Sequence, residues 1–340
     1  MTRGTPERIL LIRLSSIGDI VLTTSLVRIL RQKYPDCQID FLTKSKYAAL
    51  LRHHPGISHV LEFPDHGAIS ELLKHRRDIR AQKYDTILDL HKNARTIMLT
   101  RLQAETCIAR LKKYGLRRFL LVQTGINLYH EIQPVYKRYL DVAHSLDVQD
   151  DNFGTELYLP ARLKSNIHEK LSKHFCDLEK LVVVAPGAGF STKRWPVEFY
   201  SQVVKKLIKQ GYNCCILGDS SDKQFAQDVV RENPGCIDFA GELSLLGSAA
   251  VLDKAQKLVT NDSGLMHISE ALGTPVVAIF GSTVRELGFF PIHPGSKVVE
   301  NLTIRCRPCS HIGRKKCPRG HFNCMRSIKP EQILKEVLGH

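Results

Sequence analysis

The sequence predicts an α/β protein made of two doubly wound parallel-sheet domains, and three observations carry that expectation. Short apolar runs alternate with helix-periodic segments; the alternation lapses near the middle of the chain and then restarts; and glycine-containing turns directly follow the leading run of each half. The 340 residues suffice for two full cores, and a hydrophobic content of 43% is that of a globular chain.

In the first half, Ile9–Ile12, Ile39–Leu42, Val60–Phe63, Thr86–Leu90 and Phe119–Val122 read as strands. Between them, Asp19–Lys33, with Leu22, Leu26, Ile29 and Leu30 in helical spacing, and Ile69–Lys83 read as helices. From Pro160 to Lys180 the pattern becomes charged and amphipathic, as a linker would. Leu181–Val184, Cys214–Leu217, Lys257–Val259 and Val276–Phe280 form the second set of strands. The segment Pro196–Gln210 sets Phe199, Val203 and Leu207 on one stripe, with proline at its start and Gly211 beyond it, so it reads as a helix. Ligands of open parallel sheets sit outside the carboxyl ends of the strands, which points to a central cleft between the two domains.

The net charge of +15 is uneven, with basic clusters at Lys74–Arg80, Arg110–Arg118 and Arg305–Lys335. Such a surface suits an anionic partner: nucleic acid, anionic lipid or a phosphorylated substrate. Aromatic residues make up only 7% of the chain and are not interleaved with the basic runs as base stacking requires, so nucleic acid is not expected. Arg8, Arg13 and Asp19 interrupt the early apolar residues, so no secretory signal is expected. The weakly charged stretch Leu265–Val284 is broken by Gly273-Thr274-Pro275 and contains Glu270, which argues against a membrane span. Ten cysteines without an export signal imply reduced thiols, unless some hold metal, and a cytoplasmic chain that touches a membrane surface.

Three stretches carry chemistry. In RLSSIGDIVLTT (Arg13–Thr24), Ser15 or Ser16 caps a helix, and Asp19 is either a first-turn acid favoured by the helix dipole or a general base at the mouth of a strand. Gly18 would let the backbone approach a ligand closely. The turn is not GxGxxG, so dinucleotide binding and a dehydrogenase are disfavoured. In APGAGFSTKRWP (Ala185–Pro196), the turn at Gly187 and Gly189 precedes Lys193 and Arg194, which form either a diphosphate grip or a solvated loop. In NDSGLMHISEALGTPVVAIFG (Asn261–Gly281), Asn261 or Asp262 caps a helix. The amides at Ser263 and Gly264 make an anion site, and His267 lies one turn on. Capping alone leaves Gly264 without a reason, since glycine weakens a helix.

In this order and at these separations, the three stretches resemble glycosyltransferase family 9, the ADP-heptose:lipopolysaccharide heptosyltransferases, over nearly the whole chain. The resemblance implies a GT-B fold: an acceptor-binding domain over residues 1–165 and a nucleotide-sugar-binding domain over 166–340. The latter would carry a basic, cysteine-containing tail, and its last helix is expected to pack back on the first domain. It implies inverting transfer with no cofactor required for catalysis, and no Asp-x-Asp motif offers to hold a catalytic metal. Residue by residue, Asp19 matches the catalytic base and Lys193 the cation that neutralises the leaving diphosphate. Ser263 and Gly264 match phosphate-binding amides, Asp262 a holder of sugar hydroxyls, His267 a pocket histidine, and Leu243 an apolar flank for adenine. Asp222, in LGDSSDK, stands where the family often has a ribose-binding glutamate and is one methylene shorter. On the acceptor side, Ser16, Gly18 and, from DLHKNARTIM, His91, Lys92 and Arg95 are the candidates. The implied partners are an ADP-heptose donor and a lipopolysaccharide core acceptor at the cytoplasmic face of the inner membrane, where Kdo carboxylates and phosphates would meet the basic surface.

CRPCSHIGRKKCPRGHFNC places Cys306, Cys309, Cys317 and Cys324 as a C-x-x-C knuckle with two further thiols nearby. Four thiolates would make a closed structural zinc or iron site, with His311 or His321 able to replace one of them. A protein-heptosylating branch of the resembled family carries a four-cysteine iron finger; the spacing here is shorter. Two other functions remain open at this level: transfer to a protein or another glycan on the same fold, and a non-catalytic nucleotide- or nucleic-acid-binding module, which would leave Asp19 and Lys193 without roles.

Overall fold

Eleven strands are found among the residues described in the computed structural model, 5–66, 68–101 and 105–339, and all of them pair in parallel. The first five are β1 (Arg8–Ile12), β2 (Gln38–Lys44), β3 (His59–Phe63), β4 (Thr86–Asp89) and β5 (Cys107–Arg110), in the order β3-β2-β1-β4-β5. The next six are β6 (Leu181–Ala185), β7 (Asn213–Ile216), β8 (Cys236–Asp238), β9 (Lys257–Asn261), β10 (Val276–Phe280) and β11 (Lys297–Glu300). They order as β11-β10-β9-β6-β7-β8. Each sheet reverses direction once, between β1 and β4 and between β6 and β9, and such a switch point is where a doubly wound sheet binds its ligand. Both faces of the central strands are covered, which explains their unbroken apolar composition: β6 and β10 are buried at every residue.

Two compact units result. One comprises Met1–Lys113 with Val135–Tyr158, and the other Tyr114–Pro134 with Leu159–His340. In the first, Leu10, Ile12, Leu42, Phe63, Leu72 and Ile87 lie in one core; in the second, Val182, Val184, Val203, Leu207, Val259 and Ile279 do. The C-terminal helix, Pro330–Leu338, buries Ile333, Leu334 and Val337 in that second core. Lys257 Nζ caps it by donating to the carbonyls of Glu336 and Val337 at 2.9 and 3.0 Å.

Several expectations need correction. The run Phe119–Val122 is not a strand but part of helix Gly115–Thr124, in which only Leu121 is buried; the fifth strand is Cys107–Arg110. A four-residue apolar run cannot distinguish the two by period alone. The segment read as a linker contains helix Ala161–Ser172, which buries Ile167 and Leu171. The helix expected over Asp19–Lys33 is two, Ile17–Val21 and Thr24–Lys33. The Thr23 and Thr24 hydroxyls donate to the carbonyls of Ile20 and Val21 at 2.6 and 2.7 Å, which favours a break there. No helix among the described residues is long and apolar enough to cross a membrane.

Candidate active site

In the first unit, β1 ends at Ile12 and delivers Arg13 to the switch point. Arg13 is buried; its Nη1 donates to the Leu90 carbonyl just past β4 at 2.6 Å, and its Nη2 meets Asp19 Oδ1 at 2.7 Å. The Tyr139 hydroxyl donates to the same oxygen at 2.8 Å. Asp19 Oδ2 accepts from the Ser16 hydroxyl at 2.8 Å and the Ser16 N–H at 3.2 Å, so Ser16 and Asp19 bracket the start of helix Ile17–Val21. Burial alone would push the Asp19 carboxyl up. The Arg13 charge and the bonds from Tyr139 and Ser16 outweigh it and hold the group below the ordinary carboxylate value. Asp19 is therefore both a helix-start acid and a fixed anion.

His91 follows the end of β4. Burial, and then the Arg13 cation, push its imidazole down to about 4, so it is neutral at physiological pH and offers hydrogen bonds rather than charge. The loop carrying it is folded by Asp89, fully buried, which accepts from the N–H groups of His91 and Lys92 at 3.1 and 2.7 Å and from the Thr96 hydroxyl at 2.9 Å. Arg95 lies over the Phe63 ring, 5.6 Å from its centroid.

In the second unit, the carboxyl ends of β6 and β9 are stitched together by Asn261. Its amide donates to the Pro186 carbonyl at 2.7 Å and accepts from the Trp195 N–H at 2.9 Å, fixing both ends of the glycine turn. Lys193, in the short turn Ser191–Lys193, reaches Asp262 Oδ2 at 2.6 Å, and the Thr283 hydroxyl donates to the same oxygen at 2.8 Å. The cap of helix Gly264–Ala271 is Ser263, not Asn261 or Asp262 as expected, because those side chains are engaged as described. The Ser263 hydroxyl turns to Thr260, 3.1 Å away, so no side chain caps the first amides of the helix. Uncapped amides at a helix start attract an anion.

Asp222, at the end of the short turn Ser220–Asp222 that follows β7, lies so close to Gly187 that a Cβ there would meet its carboxylate oxygens at 2.1 and 2.4 Å. Burial, with Asp219 beside it, pushes this carboxyl up. His267 is buried edge-on to Phe289, at 6.2 Å between centroids, and Leu243 is half-buried just before helix Leu245–Leu252.

A sequence profile for glycosyltransferase family 9 (heptosyltransferase) matches residues 72–318. The chain belongs to that family. It is similar to lipooligosaccharide heptosyltransferase 2 of Haemophilus influenzae, 28% identical, with 97% of this chain and 98% of that protein covered. In fold it is similar to a glycosyl transferase family 9 protein from Veillonella parvula (TM-score 0.82, 24% identity, 98% and 96% covered). It is also similar to ADP-heptose lipopolysaccharide heptosyltransferase II of E. coli (TM-score 0.76, 24% identity, 98% of each chain covered). The doubly wound units of this family 9 glycosyltransferase are those of the GT-B fold.

The structure gathers the sequence candidates into two groups, each at the carboxyl end of its own sheet. Gly187, Lys193, Asp222, Asp262, Ser263 and Gly264 follow β6, β7 and β9. Ser16, Gly18, Asp19, His91, Lys92 and Arg95 follow β1 and β4. Three residues beside these groups escaped the sequence reading, Arg13, Tyr139 and Thr283, and Asn261 reads there only as a candidate helix cap. A lone cation directly after an apolar strand is a signal that could have found Arg13, whereas nothing local marks Tyr139. A cavity of about 640 Å³ in the first unit, lined by Gln38, Asp40, His59, Glu62, His75 and Tyr84, opens near the amino ends of β2 and β3 and includes none of the candidates.

The structural metal expected at the four cysteines finds no support in this family 9 enzyme. Among the described residues, no group of three or more His, Cys, Asp or Glu is placed to hold a metal ion, and Cys306, Cys309, Cys317 and Cys324 are free thiols. Cys324 packs in the second core, where burial pushes its thiol up to about 11, so it behaves as a small apolar side chain. Cys306 faces the imidazole of His321, 3.8 Å away. The segment's visible role is to brace the Lys193 turn: Thr192 and Arg314 exchange bonds at 3.1 and 2.7 Å, and Gly313 sits under Phe190, where a Cβ would meet it at 2.6 Å.

Proposed function

We propose that this family 9 glycosyltransferase moves a heptose from ADP-L-glycero-D-manno-heptose to the inner core of lipopolysaccharide, with inversion at the anomeric carbon. The observation that carries the reading is the opposite chemistry of the two switch points. The first holds an ionised carboxylate, Asp19; the second holds an ammonium, Lys193, beside uncapped helix amides. A hydroxyl that must lose a proton suits the first, and a diphosphate that gains charge as it leaves suits the second. Relatives named as heptosyltransferases that use or are named for ADP-heptose support the donor and the acceptor class.

In one displacement the acceptor oxygen bonds to the anomeric carbon, the bond from that carbon to the diphosphate oxygen breaks, and ADP departs. Asp19 takes the acceptor proton; Lys193 and the Ser263–Gly264 amides take the developing negative charge, so the chemistry asks for no catalytic metal. The bonds already on Asp19 make it a weak base, so proton transfer comes late, once the attacking oxygen has become acidic. Asp262 has both its protein bonds on Oδ2, which leaves Oδ1 for a sugar hydroxyl. Gly187, Asp222, Leu243 and His267 line the nucleotide-sugar; Ser16, Gly18, Lys92, Arg95 and neutral His91 meet the acceptor. The enzyme would work as a peripheral protein at the cytoplasmic face of the inner membrane. Asp19→Ala tests the assignment: transfer, followed by mass spectrometry of the acceptor, should fall at least about a thousandfold while ADP binding is retained. Undiminished transfer would remove Asp19 as the base.

A further inference from the structure

Helix Gly115–Thr124 in the second unit is inside out. Leu116 is 70% exposed and Phe119 58% exposed on its outer face, while Arg117 and Arg118 lie half-buried beneath and only Leu121 is buried. At about 100° per residue, Leu116, Phe119 and Leu120 share one stripe, so the outward face is apolar by design of the sequence rather than by a single stray side chain. The chain beyond the helix continues the pattern, with Ile126 52%, Leu128 40% and Ile132 48% exposed. Arg117 stacks on Tyr114 at 5.2 Å and Tyr114 on Tyr129 at 6.3 Å, so the helix and this neighbouring stretch are tied to one another.

Charge identifies what covers this surface. Between Thr106 and Ile132 the sequence holds Arg110, Lys112, Lys113, Arg117 and Arg118 against one acid, Glu131, and Arg110 is paired with Asp89. Exposed Leu and Phe flanked by Lys and Arg suit a surface that is apolar inside and anionic outside, which is a lipid bilayer with acidic headgroups. A second copy of a chain with a net charge of +15 would set like charges against one another.

We propose that helix Gly115–Thr124 and the stretch through Ile132 dock this enzyme on an anionic bilayer, with Leu116 and Phe119 entering the headgroup boundary and the exposed Lys112 beside the helix facing the headgroups. The inference deepens the proposed function, in which the acceptor is a membrane lipid. Its deciding readout, vesicle binding, needs no sugar, so its failure is distinct from failure of that reading. The full-length protein is floated with vesicles of phosphatidylcholine containing about one-third phosphatidylglycerol, and with phosphatidylcholine alone. Binding to the acidic vesicles is expected, weakened by salt at about 0.5 M and much reduced on the neutral ones. L116S/F119S should lower partitioning at least about tenfold, and K112E about fivefold or more, with thermal midpoints unchanged because these side chains are exposed. Both variants should still transfer sugar to a deacylated, water-soluble acceptor as the parent does. Absence of parent binding, or equal binding by L116S/F119S, overturns the proposal. A concentration-dependent dimer that L116S/F119S abolishes, with no vesicle binding, would assign the surface to a second copy instead.

Discussion

Replacing Tyr139 with Phe removes one bond from Asp19 and leaves the ring packed. The lost bond is an O–H donor to a buried carboxylate at 2.8 Å, and hydrogen bonds to charged groups contribute about 1.5–3 kcal/mol. Without that bond the Asp19 carboxyl should titrate higher than in the parent, closer to its ordinary value. The sign comes from the depressed pKa of the parent. Its contribution to stability is complete above the unfolded-state value of about 3.9, and it is lost as pH falls through the folded-state value. The destabilisation by Y139F should therefore be largest near neutrality and shrink toward pH of about 3. Two measurements check this: urea unfolding of both proteins across pH, and kcat/KM for transfer across the same range. The acid limb of the rate profile should move to higher pH in Y139F, with the KM for the donor unchanged. A destabilisation equal at neutral and acid pH, together with an unmoved acid limb, would refute the claim that Tyr139 acts on Asp19 through charge.

Asp262→Asn should free Lys193 from its 2.6 Å ion pair and tighten ADP binding several-fold, read by calorimetry. Transfer by the same variant should fall at least about tenfold if Asp262 also holds the sugar, a bond to a charged group contributing about 1.5 kcal/mol or more. Unaltered ADP affinity would show that the pair does not limit the diphosphate site. Gly187→Ala should weaken ADP by at least about tenfold, since its Cβ would stand 2.1 Å from an Asp222 oxygen and must displace that carboxylate; parent-like affinity would remove Asp222 from the nucleotide site.

Much of the architecture was legible along the chain. The alternation of apolar runs with helical patterns marked four of the first five strands and four of the next six, because strands buried on both faces need unbroken apolar composition. Short β8 and β11 and the half-buried β5 lack such runs. Phe119–Val122 imitates one, yet its residues sit on an inverted helix whose exposure no local pattern announces. Cysteine spacing likewise suggested a metal cage; the four thiols do come near one another, but spacing along the chain does not fix a metal-holding geometry, and none is found among the described residues.

The sequence by itself determined the two doubly wound units, the turns after β1, β6 and β9, and which residues would stand on them, since these depend on local pattern and on the residues directly after a strand. Only the tertiary structure decided the state of those residues. Asp19 is held ionised by Arg13 from the end of β1 and by Tyr139, 120 positions away, and Lys193 is held by Asp262, 69 positions away. The physical reason is that a pKa and an ion pair are set by burial and by charges a few ångströms distant, and tertiary packing brings such neighbours together from strand ends and, for Tyr139, from helix Val135–Leu140, far apart in the chain.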